Sequence, residues 1–298
     1  MPCFSPLQAY QLLDGSVVFR ERGQVVRSLN LACGQCSGCR LERSRQWAVR
    51  CLHEAQCHES NSFITLTYVD SHLPANNSLR YRDFQLFMKR LRRYFNVPIR
   101  FYMCGEYGSD FSRPHYHACL FGINFPDLVY LGKTESGSLL YRSAILERLW
   151  PYGFSSVGAV TFESAAYVAR YIMKKITGHH ADLHYMDVDI SSGETVQRVP
   201  EFNKMSLGGR NKQGGIGAPW FSKFRTDVFP HDRVVINAKV CKPPRYYDKL
   251  YARDFPIEFE ATQFDREVKA RLLADDATPE RLAVRKQVLE AKLLPRYI

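Results

Sequence analysis

The stretch from Ile99 to Gly122 constrains this chain most. Two apolar runs, IRFYMCG and PHYHACLFG, are separated by a polar loop short enough for a hairpin, so the two strands are expected to be neighbours in one sheet. Side chains alternate faces along a strand, which puts His115, His117, Cys119 and Phe121 on one face and Tyr116, Ala118 and Leu120 on the other. Both imidazoles therefore point into the same space, and Glu106, which ends the first run, adds a carboxylate if the strands pair. An imidazole on a half-buried strand is ordinarily a hydrogen-bonded residue of the fold. Two of them at i and i+2, with a carboxylate on the adjoining strand, can instead form one face of a divalent-metal site that leaves positions open for substrate. Asp110, in the loop, is a weaker third ligand.

Periodicity on either side of this hairpin extends the sheet. A helix is predicted from about Leu41 to His58, with Trp47, Ala48, Cys51, Leu52 and Ala55 on one side, followed by a strand in FITLTYVD from Phe63. RDFQLFMKRLRRYF repeats Phe84, Phe87, Met88, Leu91 and Phe95 at helical spacing and leaves Lys89, Arg90, Arg92 and Arg93 on the other faces, an amphipathic basic helix. A short helix at SAILERLW, a strand in FSSVGAVTF and a helix from Glu163 to Ile176, ended by Gly178, complete the order β-α-β-β-α-β-α. The fold class is α+β: a ferredoxin-like antiparallel sheet flanked by helices. The domain reading is a Cys-rich N-terminal segment and helix over residues 1–60, a core over 61–225 with a loop or hairpin insertion at about 179–219, and a mainly helical extension over 226–298.

The formal charge of +11 favours a polyanionic partner, nucleic acid or an acidic membrane surface. From Tyr251 to Ile298 nine Lys and Arg are balanced by nine Asp and Glu, so the whole excess lies before that segment. No basic stretch leading into an apolar one opens the chain, and no apolar run approaches the ~18 residues of a membrane span, so neither secretion nor a membrane is expected. Nine cysteines, three of them within seven residues, do not read as a disulfide framework and point to a reducing cytoplasm. Cys33, Cys36 and Cys39 in CGQCSGC have the spacing and small intervening residues that wrap a metal. A structural Zn²⁺ needs a fourth ligand, for which Cys3 is the first choice and His53 the second. An iron–sulfur cluster stays open, as do free thiols.

The helix ESAAYVARYIMKKITG holds Tyr167 and Tyr171 four residues apart, so both phenols project from one face about one turn apart. Two aromatic core residues would give the same pattern. Here Arg170, Lys174 and Lys175 surround them, and cations beside phenols suit an anionic target. A tyrosine is a poor nucleophile at pH 7 unless a cation or a metal-polarised phosphate assists it.

Taken in order, FITLTY, CGEYG, RPHYHACLFG and YVARYIMKK resemble the HUH endonucleases, most closely the replication initiators of gokushovirus-type microviruses, which are single-stranded DNA phages. EFNKMSLGGRNKQGGIGAPWF is similar to a segment of the same initiators, although KQGGIG stands where they tend to carry a compact Pro-Gly-Ile-Gly; altogether the resemblance covers roughly residues 1–225. It implies a five-stranded antiparallel sheet with His115 and His117 on the central strand binding Mg²⁺ or Mn²⁺, Glu106 as third ligand, and a structural role for FITLTY. It also implies Tyr167 and Tyr171 as paired nucleophiles and Lys174 as the lysine of the tyrosine helix. Spacing alone makes Tyr171 the expected first nucleophile, because Lys174 follows it at i+3, although Tyr167 has Arg170 at the same offset. The expected activity is rolling-circle initiation in the cytoplasm of a host bacterium: nicking of single-stranded DNA at an origin through a 5′-phosphotyrosine, with a host helicase and polymerase as partners. Lys89, Arg90, Arg92, Arg93, Arg170 and Lys175 are the expected DNA contacts. The rival readings are a plasmid relaxase or transposase of the same superfamily, or a non-catalytic zinc-containing nucleic-acid binder.

Overall fold

The computed structural model describes residues 3–108, 112–134, 136–174, 181–188, 193–208 and 214–293, with the backbone alone for 171–174 and 293. Its elements begin with β1 (Leu7–Leu12), β2 (Val17–Val18), β3 (Val25–Leu31), α1 (Ser37–Ala55), β4 (Asn61–Thr67), α2 (Tyr81–Phe95), β5 (Arg100–Tyr107) and β6 (Pro114–Phe121). They continue with β7 (Val129–Lys133), β8 (Leu139–Arg142), α3 (Ala144–Leu149), β9 (Ser155–Gly158), α4 (Phe162–Lys174), α5 (Ala181–Tyr185), β10 (Met186–Val188), β11 (Thr195–Gln197) and β12 (Phe202–Met205). The remainder are α6 (Ala218–Val228), β13 (Val234–Ile236), β14 (Lys239–Cys241), α7 (Arg245–Asp254), α8 (Pro256–Leu272) and α9 (Pro279–Leu293). Two compact units result: Met1–Arg43 with Lys249–Ile298, and Ser44–Asp248.

The larger unit is built on one antiparallel sheet of order β12-β5-β6-β4-β9-β8-β7. Its inner four strands follow the split-βαβ order expected of a ferredoxin-like layout. The sheet has seven strands rather than five. The β7–β8 hairpin is mostly exposed, so its residues lack the in–out alternation that marks a strand in sequence. At the other edge the stretch read as part of an insertion supplies β12, in register with Tyr102–Gly105.

Alternation along β6 divides the core in two. Tyr116, Ala118 and Leu120 face α2 and α3, where Phe84, Phe87, Met88, Leu91, Leu146 and Trp150 bury their side chains. Each such side chain contributes about 1.5–3 kcal/mol on leaving water, which is what holds α2 on the sheet. The helix stops at Asn96, whose left-handed backbone (φ 51°) directs its N–H to the Arg92 carbonyl. On the opposite face Cys119, Phe121, Tyr102 and Cys104 pack against Ala48 and Cys51 of α1 and Ala165, Val168 and Ala169 of α4. The histidines lie on this second face.

The GGIG stretch is also fixed on the second face, through α1 and β5. Fully buried Glu54 accepts from Arg100 Nε at 2.5 Å and from the Gly217 amide at 2.7 Å, while Arg100 donates to the Gly214 carbonyl and Arg50 to that of Ile216. Burial alone would raise the Glu54 pKa, but hydrogen bonds from His58 and the Gly217 amide and the Arg100 charge bring it below the usual value. Gly217 has φ 83°, and a Cβ there would come within 2.8 Å of Tyr247 Oη. Only glycine fits this turn.

The smaller unit contains the sheet β2-β1-β3 and helices α8 and α9. Residues 256–293 are mainly helical, as expected of the C-terminal extension, in two helices broken before Pro279. Among the described residues no helix is long and apolar enough to cross a membrane.

Candidate active site

Register places the predicted metal set in one place. His115 pairs with Glu106 across β5–β6 and His117 with Cys104, and the imidazole rings lie parallel with centroids 6.3 Å apart. His117 Nε2 is 3.2 Å from Glu106 Oε1, both side chains being buried. His115 Nδ1 is 2.6 Å from the Arg113 carbonyl, an atom that can only accept. The proton therefore sits on Nδ1 and the Nε2 lone pair is left for a ligand, the tautomer that metal-binding histidines adopt. Burial holds the His115 pKa below its ordinary value, with the Glu106 charge working the other way, so the ring is neutral at physiological pH.

Three further groups hold the histidines, and all of them lie in the motifs. Thr65 Oγ1 of β4 is 2.9 Å from His117 Nδ1, so FITLTY reaches the site directly and is more than a structural strand. Arg113 is itself fixed by hydrogen bonds to the Tyr68 carbonyl and Asp70, which steadies the carbonyl that orients His115. At Gly108 the ring of His115 lies so close that a Cβ would be 2.9 Å from its Cε1. Nothing in the sequence pairs Thr65 with His117; the glycine after GEY was the only visible sign of that close approach.

Helix α4 borders the same face. The ring of Tyr167, 37% exposed, meets His117 edge-on at 5.0 Å between centroids and Phe63 at 6.5 Å. Tyr171 and Lys174 follow on α4, with side chains outside the described residues; Lys175 and Asp110 lie outside them altogether. Arg170 is partly buried on the same helix. The structure thus gathers Glu106, His115, His117 and Tyr167.

The basic helix is not part of that group. α2 covers the opposite face of the sheet, Arg90 donates to the Leu149 carbonyl at 2.8 Å, and Arg92 donates to that of Ile99 at 2.9 Å. Lys89 and Arg93 are exposed. The cysteines named as zinc ligands do converge: the Sγ atoms of Cys3, Cys33, Cys36 and Cys39 all lie within 4.8 Å of one another. His53 is elsewhere, stacked on Trp220 at 3.4 Å and 2.8 Å from Tyr247 Oη through Nδ1. It stands fourteen residues after Cys39 on α1, ~21 Å along the helix.

Sequence comparison gives this geometry its relatives. Residues 61–176, which span β4 to the end of α4, match the family described as Replication-associated protein ORF2/G2P. Replication-associated protein VP4 of Bdellovibrio phage phiMH2K is 31% identical over 283 residues, covering 91% of this chain and 83% of that protein. This chain belongs to the replication-associated proteins of the microviruses. Another member, Replication-associated protein ORF2 of Spiroplasma virus 4, is 32% identical over 284 residues, covering 87% of this chain and 83% of its own length. Replication-associated protein ORF4 of Chlamydia phage 1 is 31% identical over 259 residues, 83% of this chain and 60% of that one. No solved structure matches.

Proposed function

We propose that this microvirus replication-associated protein is the rolling-circle initiator, an HUH-type endonuclease and strand transferase acting on single-stranded origin DNA in the host cytoplasm. The observation that carries the reading is Tyr167 lying against His117 in the set that joins His117, His115 and Glu106. The relatives are named for replication, which favours an origin over a plasmid transfer site or a transposon end. Two imidazoles and one carboxylate are a donor set that Mg²⁺ or Mn²⁺ accepts, and the tautomer fixed on His115 fits a ligand role. Bound there, such an ion would draw charge from the phosphate oxygens and make phosphorus more electrophilic.

The protein's own groups would then do the following. Thr65 and the Arg113 carbonyl hold the two rings in orientation. Tyr167 or Tyr171 gives up its phenolic proton and attacks phosphorus, a P–O bond to tyrosine forms, and the bond from phosphorus to the 3′ oxygen breaks, that oxygen taking up one proton in place of the one the phenol lost. One phosphodiester replaces another, leaving a 5′-phosphotyrosine and a 3′-OH from which a host polymerase extends, with a host helicase opening the duplex. Arg170, Lys174 and Lys175 supply positive charge along the tyrosine helix. Among the described side chains the phenol beside His117 is that of Tyr167, which supports it as one of the two nucleophiles, while the i+3 spacing to Lys174 favours Tyr171 for the first cleavage.

The test is incubation of the full chain with Mn²⁺ and single-stranded oligonucleotides tiled across the genome that encodes it, followed by denaturing electrophoresis and peptide mapping of the adduct. DNA should be attached to Tyr167 or Tyr171. Either single Tyr→Phe variant should retain some adduct, and the double variant none. His117→Ala should abolish nicking and spare most DNA binding. Full nicking by His117→Ala, or in excess chelator, or an adduct on another residue, would overturn the mechanism.

A further inference from the structure

The smaller unit has very little to hold it together. Among its described hydrophobic residues only Ala9, Tyr251 and Leu282 are buried, and in the three-stranded sheet β2-β1-β3 Ala9 is the sole one. Sheets of this size do not stand on so small an apolar core; units of this kind add a disulfide or a metal. All nine cysteines are free thiols, so no disulfide does the work.

The cysteines sit where a clasp is needed. Cys3 precedes β1 and Cys33 follows β3, and Leu7 pairs with Leu31, so the two cysteines flank the same open end of the β1–β3 pair. Cys36 and Cys39 lie at the start of α1. Cys3 Sγ is 3.5 Å from Cys33 Sγ and 3.9 Å from Cys36 Sγ. Four sulfurs placed tetrahedrally around an ion at 2.3 Å are about 3.8 Å apart, whereas a disulfide brings them to about 2.05 Å. The amides of Phe4, Cys33 and Cys36 point at the sulfurs of Cys36, Cys3 and Cys33, at 3.4, 3.2 and 3.4 Å. N–H donors to sulfur suit thiolates.

We propose that Cys3, Cys33, Cys36 and Cys39 bind one Zn²⁺ as a closed tetrathiolate site that fastens the β1–β3 end to the start of α1. Four soft sulfurs in a tetrahedral set select zinc over the hard ions suited to a histidine–carboxylate site. An iron–sulfur cluster puts several iron atoms between the thiolates, and sulfurs all within 4.8 Å of one another leave room for a single ion. With every position taken by sulfur the site has no open coordination and is structural. The inference does not depend on the nuclease reading.

The test is metal analysis of the purified full chain, wild type and His117→Ala, together with the visible spectrum after replacement by Co²⁺. One zinc per chain is expected in both, and cobalt should give the intense absorption of a tetrahedral tetrathiolate. Cys3→Ser should weaken the sulfur-to-cobalt charge transfer, while Cys57→Ser, at an exposed cysteine, should leave it unchanged. Because the wild-type spectrum needs no variant, misfolding of Cys36→Ser cannot blur the answer. Zinc absent from wild type, zinc lost in His117→Ala, an iron chromophore, a weak octahedral cobalt spectrum, or a Cys3→Ser spectrum identical to wild type would each overturn the proposal.

Discussion

Gly108 shows how tightly the histidines are packed from behind. Its backbone is not in the left-handed region, so alanine carries no conformational penalty there. The added Cβ would nevertheless come 2.9 Å from His115 Cε1 and 3.3 Å from Nδ1, the atom hydrogen-bonded to the Arg113 carbonyl. The ring must turn, and the tautomer that presents Nε2 is no longer enforced. Loss of such an orienting contact around a metal ligand costs about 10–100-fold in affinity or activity. Gly108→Ala is therefore expected to fold normally and to nick 10–100-fold more slowly by this estimate, with part of the loss recovered at high Mn²⁺. Single-turnover nicking across a Mn²⁺ titration checks it, and wild-type kinetics would show that His115 does not depend on this contact.

At the scale of elements, the amphipathic pattern of α2 was correct as a helix and uninformative about its place. Phe84, Phe87, Met88 and Leu91 require a sheet face to cover, and either face would satisfy them. The structure uses the one opposite the histidines, so charge on this helix lies away from the tyrosine helix. Exposed Lys89 and Arg93 can meet DNA only outside the reacting phosphodiester. The double variant Lys89→Glu/Arg93→Glu should thus leave the nicking rate at saturating oligonucleotide within about 2-fold of wild type, an amount equal to ~0.4 kcal/mol, while weakening binding at low salt. Arg92 should behave differently. Its hydrogen bonds to the Ile99 carbonyl tie the end of α2 to the start of β5, and Arg92→Ala should lower stability by about 0.5–1.5 kcal/mol without changing the rate. A large fall in saturated nicking from the Glu pair would place the catalytic DNA path on α2 after all. The hairpin carrying the histidines was legible for the converse reason. Both strands are buried on both faces and so read as unbroken apolar runs bounded by a short polar loop, after which strand geometry alone assigns each residue its face. β1, β3, β7 and β8, half-buried to exposed, carry neither such a run nor an in–out alternation and were not visible in the sequence.

Across the whole molecule, what the sequence could not show are partners far apart along the chain. Histidine 53 was a reasonable zinc ligand until Trp220 and Tyr247, from the far end of the larger unit, closed over it. Its burial has a consequence for stability. Desolvation lowers the pKa of His53 from its ordinary 6.5 to about 3. Between those values the unfolded chain holds a proton that the folded one does not, so folding stability falls as pH drops below 6.5 and goes on falling toward 3. One such group contributes up to about 1.4 kcal/mol per pH unit. Glu54, its neighbour on α1, acts in the same direction, because a carboxyl with a lowered pKa in the folded state also loses its contribution in acid. All three tryptophans, Trp47, Trp150 and Trp220, lie within residues 44–248, so tryptophan fluorescence reports unfolding of this unit alone. Urea midpoints followed by that signal should decline from about pH 6.5 to 4.5, the range over which an ordinary histidine gains its proton and a buried one does not. His53→Phe keeps a ring between Trp220 and Tyr247 but has nothing to protonate. It should lower the midpoint at neutral pH, through the lost bond to Tyr247, and flatten the decline. An unchanged slope in that variant would show that His53 is not the source of the acid sensitivity.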